Sequence, residues 1–185
     1  MNSAGSVPVD ERLRLFCALL LPQEVLDTLV EWQGGHLRGG RIVPAEHLHI
    51  TLAFLGSTPA GRVPDIVDAL RAAAARAKPI EFSLPRSRLR ETRSVAMLLL
   101  EDLHGTATAL ARDLFRRLEA LGVYERERRK WLPHVTVLRF RERPRLDPPL
   151  PELGTFSPSG AAVYHSVLRS GGAQYQVLEF VALGG

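Results

Sequence analysis

The chain has 185 residues, 45% of them hydrophobic, which fits one domain able to bury a real core. Its net charge of +4 rests almost wholly on arginine, Lys78 and Lys130 being the only lysines; this mildly favours a polyanionic partner such as nucleic acid, although an Ala-, Leu- and Arg-rich composition explains it equally well. No run reaches the roughly 18 apolar residues of a membrane helix, and a single cysteine, Cys17, excludes an internal disulfide and a cysteine-based metal cluster.

Residues 1–10 read as a loose polar tail preceding a single domain over 11–185. Arg12 to Leu21 reads as a strand stopped by Pro22; with no small-residue cleavage site behind it, it is a buried strand and not a secretory signal, and a reducing cytoplasm is expected. Pro22 to Trp32 carries Val25, Leu26, Leu29 and Val30 at helical spacing, and Gly34, Gly35, Gly39 and Gly40 predict a loop. A strand from His47 to Leu55 closes at Gly56, and a helix follows over Pro64 to Ala77. Strands are expected around Ile80–Leu84 and Val95–Glu101. Leu103, Ala107, Leu110, Leu114, Leu118 and Leu121 then mark a third helix ended by Gly122. After a charged connection over Tyr124–Lys130 come a strand at His134–Phe140 and a proline-rich loop at Pro144–Pro151. Two last strands, Ala161–Arg169 and Tyr175–Leu183, are joined at Gly171–Gly172, a hairpin signal. The order predicts an α+β fold with much antiparallel sheet. No glycine-rich phosphate loop of either common type is present, which argues against a nucleoside-triphosphate enzyme.

Two segments repeat one pattern: His49-Ile50-Thr51-Leu52 and His134-Val135-Thr136-Val137. In a strand, residues two apart share a face, so each segment shows an imidazole and a hydroxyl side by side while its apolar partners enter the core. His104-Gly105-Thr106 matches the letters but opens a helix, where residues two apart do not share a face. Two imidazoles suit the opening of a cyclic phosphodiester, because histidine can take a proton from water or give one to a departing oxygen near neutral pH. Two threonine hydroxyls can hold the non-bridging oxygens. Nothing in this arrangement requires a metal or a cofactor. His47 and His49 form a His-x-His pair, but no third ligand stands in an obvious place.

These residues resemble the two-histidine (2H) phosphoesterases, and among them the RNA 2′,3′-cyclic phosphodiesterases, also called 2′-5′ RNA ligases. Arg14-Leu15-Phe16-Cys17-Ala18-Leu19 with Pro22 is similar to the family's opening strand. Val43 to Gly56 and Trp131 to Val137 are similar to its two histidine motifs, and Tyr164, Ser166-Val167-Leu168 and Gly171 to Tyr175 to its C-terminal hairpin. The resemblance implies a bilobal 2H fold in which two antiparallel sheets face each other across a central cleft, with helices on the outer faces. It implies hydrolysis of RNA 2′,3′-cyclic phosphate ends to 2′-phosphates, with a weaker ATP-independent 2′-5′ ligation. His49, His134, Thr51 and Thr136 would be catalytic, His134 as the base for water and His49 as the acid for the 3′ oxygen. Arg139 would contact the phosphate; in a straight strand it faces away from His134, so a bend or strand end is required. Phe16 would stack on the terminal base or else belong to the core.

The basic clusters Arg86, Arg88, Arg90, Arg93 and Arg126, Arg128, Arg129, Lys130 are solvated loops or the rim of an RNA site. Competing readings are a non-catalytic module that binds RNA ends, and a phosphodiesterase acting on another substrate such as ADP-ribose cyclic phosphate or 2′-5′ oligoadenylate. A soluble monomer with no membrane or protein partner is expected.

Overall fold

The computed structural model describes residues 11–85, 89–170 and 172–184. The expected tail 1–10, Arg86, Arg88 and Gly171 lie outside the described residues. The strands are β1 (Arg12–Leu20), β2 (Arg41–Ile42), β3 (His49–Pro59), β4 (Phe82–Ser83), β5 (Leu89–Glu91), β6 (Val95–Leu99), β7 (Glu101–Asp102), β8 (His134–Arg139), β9 (Thr155–Phe156), β10 (Gly160–Arg169) and β11 (Gly172–Val181). The helices are α1 (Gln23–His36), α2 (Val63–Ala74) and α3 (Thr106–Ala120), with single 3₁₀ turns at Ala45–His47 and Ala60–Arg62. The architecture is α+β and its strand pairs are antiparallel, in two lobes that flank a cleft. One lobe is β11-β10-β1-β3; the other is β8-β6-β5 with β2 on the free side of β8. The lobes touch edge to edge through one residue pair, Ile50 against Val135. A separate three-stranded sheet, β7-β4-β9, lies off this path.

Alternation along β1 sorts the two faces. Leu15, Cys17 and Leu19 enter the main core with the apolar stripes of the three helices, whereas Phe16 and Ala18 join Ala162 and Tyr164 in a small cluster on the cleft side. The helices therefore cover the face away from the cleft. α3 shows the expected stripe, burying Ala107, Leu110, Ala111, Leu114, Phe115 and Leu118. Its start is satisfied by the Asp102 carboxylate, which accepts from the Thr108 amide at 2.7 Å and the Thr108 hydroxyl at 2.7 Å. No helix among the described residues is long and apolar enough to cross a membrane.

Three of the boundaries that differ from the sequence expectation lie near the cleft. α1 runs on through Gly34 and Gly35 to His36, because the buried Gln33 and Leu37 anchor its last turn; the Leu37 amide donates to the Gln33 carbonyl at 2.9 Å. The strand expected from His47 starts only at His49, since Ala45–His47 coil into a 3₁₀ turn. It then passes Gly56, where a φ of +66° and a register shift opposite Leu15 bend the strand without ending it.

Gln33 also joins the halves of the site that follow. Its buried amide nitrogen donates to the carbonyls of Val43 at 3.0 Å and Val137 at 2.8 Å. Replacing it by leucine strands the Val43 carbonyl without that partner. Gln33→Leu is expected to cost about 1–3 kcal/mol in urea unfolding; an unchanged midpoint would show that the clamp carries no stability.

Candidate active site

A cleft of about 370 Å³ opens where the lobes meet, lined by His49, Thr51, His134 and Thr136 among others. The pairing of Ile50 with Val135, continued by one residue each way, faces His49 with Thr136 and Thr51 with His134. Ile50 and Val135 themselves are fully buried, so the alternate residues are turned to the cleft. Trp131, three before His134, donates its indole N–H to the Thr51 carbonyl at 2.9 Å and ties the second motif to the first.

Both histidines are held in the same way. His49 Nδ1 lies 2.8 Å from the carbonyl of His47, and His134 Nδ1 lies 2.8 Å from the carbonyl of Leu132, each two residues back. A carbonyl accepts only, so Nδ1 carries the hydrogen and Nε2 is the atom left to accept or deliver a proton. The Thr51 hydroxyl, 3.1 Å from His49 Nε2, donates to it when the ring is neutral. Burial pushes the His49 pKa down to about 4; the hydrogen bond to His47 raises it, and the charges of His134, Arg139 and His47 lower it further. His49 is therefore neutral in the free protein at neutral pH.

The bend that Arg139 requires is present. On β8 the register with β6 passes from Thr136 opposite Met97 to Leu138 opposite Ala96, leaving Val137 as an extra residue. Val137 and Leu138 are both buried, the alternation is reset, and Arg139 emerges on the cleft side. β3 repeats the device: Thr51 pairs with Ala18 and Ala53 with Cys17, which leaves Leu52 extra. Leu52 and Ala53 are both buried, and Phe54 emerges in the cleft, five residues after His49 as Arg139 is five after His134.

Phe54 was not singled out by the sequence, although the shared spacing pointed to it. It is 47% exposed, whereas Phe16 is 3% exposed and lies flat on Tyr164 with ring centroids 4.8 Å apart. Phe16 thus supports His49 from below, with centroids 5.0 Å apart, and has little surface left for a base. Arg14 and Arg41 line the cleft beside Arg139 and were likewise missed as cleft residues. None of the described members of the two basic clusters does so; Arg129 instead pairs with Glu127 at 2.5 Å. His104 sits at the start of α3 paired with Glu81 at 2.8 Å, away from the cleft. His47 packs on Tyr175, ring centroids 4.4 Å apart, at the cleft wall.

A fold of two antiparallel lobes, each presenting one His-x-Thr to a shared cleft, defines a two-histidine phosphoesterase. Residues 19–95 match the model of the LigT-like phosphoesterase family. An RNA 2′,3′-cyclic phosphodiesterase of Thermus thermophilus is 32% identical over 94% of this chain and 91% of its own length. One of Geobacillus stearothermophilus is 28% identical over 70% of this chain, and the match spans only 42% of that relative's length. The crystal structure of E. coli LigT complexed with 3′-AMP superposes with a TM-score of 0.74 at 27% identity, covering 95% of this chain and all of that one. The chain belongs to the LigT-like family of 2H phosphoesterases.

The depressed pKa of His49 makes stability pH-dependent. Above pH 6.5 the ring is neutral in both folded and unfolded chains and contributes no slope. As pH falls from 6.5 towards 4 the unfolded chain takes up a proton that the folded one refuses, and stability is lost, by up to about 3 kcal/mol. Urea midpoints measured across this window should fall less steeply in His49→Gln than in the wild type; parallel curves would show that His49 titrates normally.

Proposed function

We infer that this protein is an RNA 2′,3′-cyclic phosphodiesterase, opening the cyclic phosphate at an RNA end to a 2′-phosphate by acid–base catalysis. The observation that carries this reading is the pair of His-x-Thr segments on adjoining strands, each histidine fixed by a backbone carbonyl with Nε2 left for the cleft. Water attacks phosphorus in line with the 3′ oxygen. One imidazole takes the proton of the water, the P–O3′ bond breaks, and the other imidazole gives its proton to O3′. Thr136 and Thr51, the latter once its hydroxyl turns from His49 Nε2, hold the non-bridging oxygens, and Arg139 offsets their charge. With a 5′-hydroxyl in place of water the same steps leave a 2′-5′ linkage, which accounts for weak ATP-independent ligation.

Burial favours a neutral His49, which suits it to act as the base and leaves the part of the acid to His134. This inverts the order implied by the family resemblance, which would require His49 to take up a proton as the phosphate enters. Proton exchange on binding sulfate, an anion that does not itself titrate near neutral pH, measured by calorimetry in two buffers, separates the orders: no uptake is expected, and uptake of one proton would restore the other order.

The decisive experiment is product analysis on a short RNA ending in a 2′,3′-cyclic phosphate, with EDTA present. Wild type should yield a 2′-phosphate, with His49→Ala and His134→Ala each slower by roughly 10²–10⁴-fold. Thr51→Val and Thr136→Val should lose up to ~10²-fold. Near-wild-type turnover in either histidine variant would overturn the assignment. RNA binding without turnover by wild type would make the cleft a binding module.

A further inference from the structure

The cyclic phosphate at the two histidines carries one negative charge, yet three arginines, Arg14, Arg41 and Arg139, line the cleft. Arg139 shares the β8 face with His134 and Thr136 and serves that phosphate. Arg14 belongs to the other lobe, on β1, two residues beyond Phe16 and therefore roughly 6–7 Å further along the strand. Its guanidinium carbon stands 4.9 Å from the centre of the Phe54 ring. Stacking fixes the guanidinium plane by its face and leaves the N–H groups at its edge for an oxyanion. Among the described residues no carboxylate pairs with it.

A second observation points to the same place. Ser166 is 6% exposed and lines the cleft, but its hydroxyl has no hydrogen-bond partner among the described residues. The β1–β10 register pairs Leu15 with His165, so the next step places Arg14 opposite Ser166. Among the described residues Gln33 Oε1 is the buried side-chain atom without a partner, so the Ser166 hydroxyl reaches the cleft and is open to a ligand there. An oriented cation and a free hydroxyl, side by side and one step from the histidines, form a second anion site.

We propose that Arg14 and Ser166 bind the phosphodiester on the 5′ side of the terminal nucleotide, the first internucleotide linkage of the RNA. The proposal rests on the cyclic phosphodiesterase reading and extends it: the cleft is built for the end of a strand rather than for a free nucleoside cyclic phosphate. One nucleotide separates its two phosphates by a span comparable to the offset between Phe16 and Arg14. The linkage is not a reacting group, so its binding acts equally in ground and transition states and is read in KM.

The test compares kcat/KM for adenosine 2′,3′-cyclic phosphate, its 5′-phosphorylated form, and the dinucleotide ApA ending in the same cyclic phosphate. Wild type should favour the dinucleotide over the bare nucleoside by roughly 10- to 100-fold, the scale of hydrogen bonds to a charged group. Arg14→Gln should bring that ratio near one through KM, Arg14→Lys should restore part of it, and Ser166→Ala should lower it several-fold. Equal rates on all three substrates in wild type, or an equal loss on all three in Arg14→Gln, would overturn the subsite. Preference for the 5′-phosphorylated nucleoside without preference for the dinucleotide would reassign it to a terminal monoester. Failure of wild type to cleave any of the three would remove the underlying function, and the subsite with it.

Discussion

Ile50 and Val135 are the residues through which β3 and β8 meet, and much of the site's geometry follows from that pair. This antiparallel contact is one residue pair long, yet it joins the two lobes into one eight-stranded sheet and fixes their register. It faces His49 with Thr136 and Thr51 with His134, and then the strands part to leave a cleft. Both side chains are fully buried, so a slip of one residue would send them to solvent and both histidines into the core. Around this contact the structure adds bonds that cross between the motifs: Trp131 to the Thr51 carbonyl, and Gln33 to the carbonyls of Val43 and Val137.

A strand of period two cannot put residues at His, His+2 and His+5 on one face. The chain meets this by inserting one extra buried residue into each motif strand, Leu52 and Val137, at the same distance from its histidine. The carbonyl of Val137 accepts from both the Val43 amide at 3.1 Å and Gln33, so the second bulge is held on its outer side by α1 and the segment that leads into the first motif. The glutamine that holds this bulge therefore bears on the position of Arg139 without lining the cleft.

Much of this was legible in the sequence, and the reasons for the remainder are physical. The His-x-Thr repeats inside apolar alternation identified the four polar groups, and heptad-like leucines marked α3, because periodicity survives in a single sequence. The demand for a bend before Arg139 was legible too, as a conflict between its spacing and a straight strand. The identity of the bulged residue was not, since Val137 and Leu138 look alike until the partner β6 supplies a register. Phe54 stayed hidden for the same reason. Arg41 was hidden because β2 owes its place to pairing with β8 across a long stretch of chain. For Phe16 and the arginine-rich loops the sequence left two readings open, and tertiary packing separates them: Phe16 lies under His49 while still lining the cleft, and the described loop arginines lie off it. Proximity in sequence to a motif is a poor guide to proximity in space when the motif strands are antiparallel and bulged.

The two lobes repeat one device, yet they end on different side chains, and this breaks the symmetry of the chemistry. After the same bulge, β8 presents a cation and β3 an aromatic ring. A phosphate is drawn towards the β8 side, while the Phe54 side, with Arg14 upon it, offers a flat surface and a second positive charge. A substrate whose cyclic phosphate sits at one end and whose chain leads from the other can satisfy both surfaces in only one direction. On the proposed mechanism, that direction decides which imidazole meets the water and which the departing 3′ oxygen. The protonation of the pair is then not an independent feature: burial keeps His49 neutral, and the asymmetric walls determine what that neutral nitrogen faces. Exchanging the two residues, as Phe54→Arg with Arg139→Phe, should therefore disturb turnover far more than removing either wall's contact with the substrate alone, because it would reverse the substrate against a fixed pair of histidines. Measured kcat values for the double and single variants on the same RNA end would check this; a double variant no slower than Arg139→Phe would show that the walls bind without orienting.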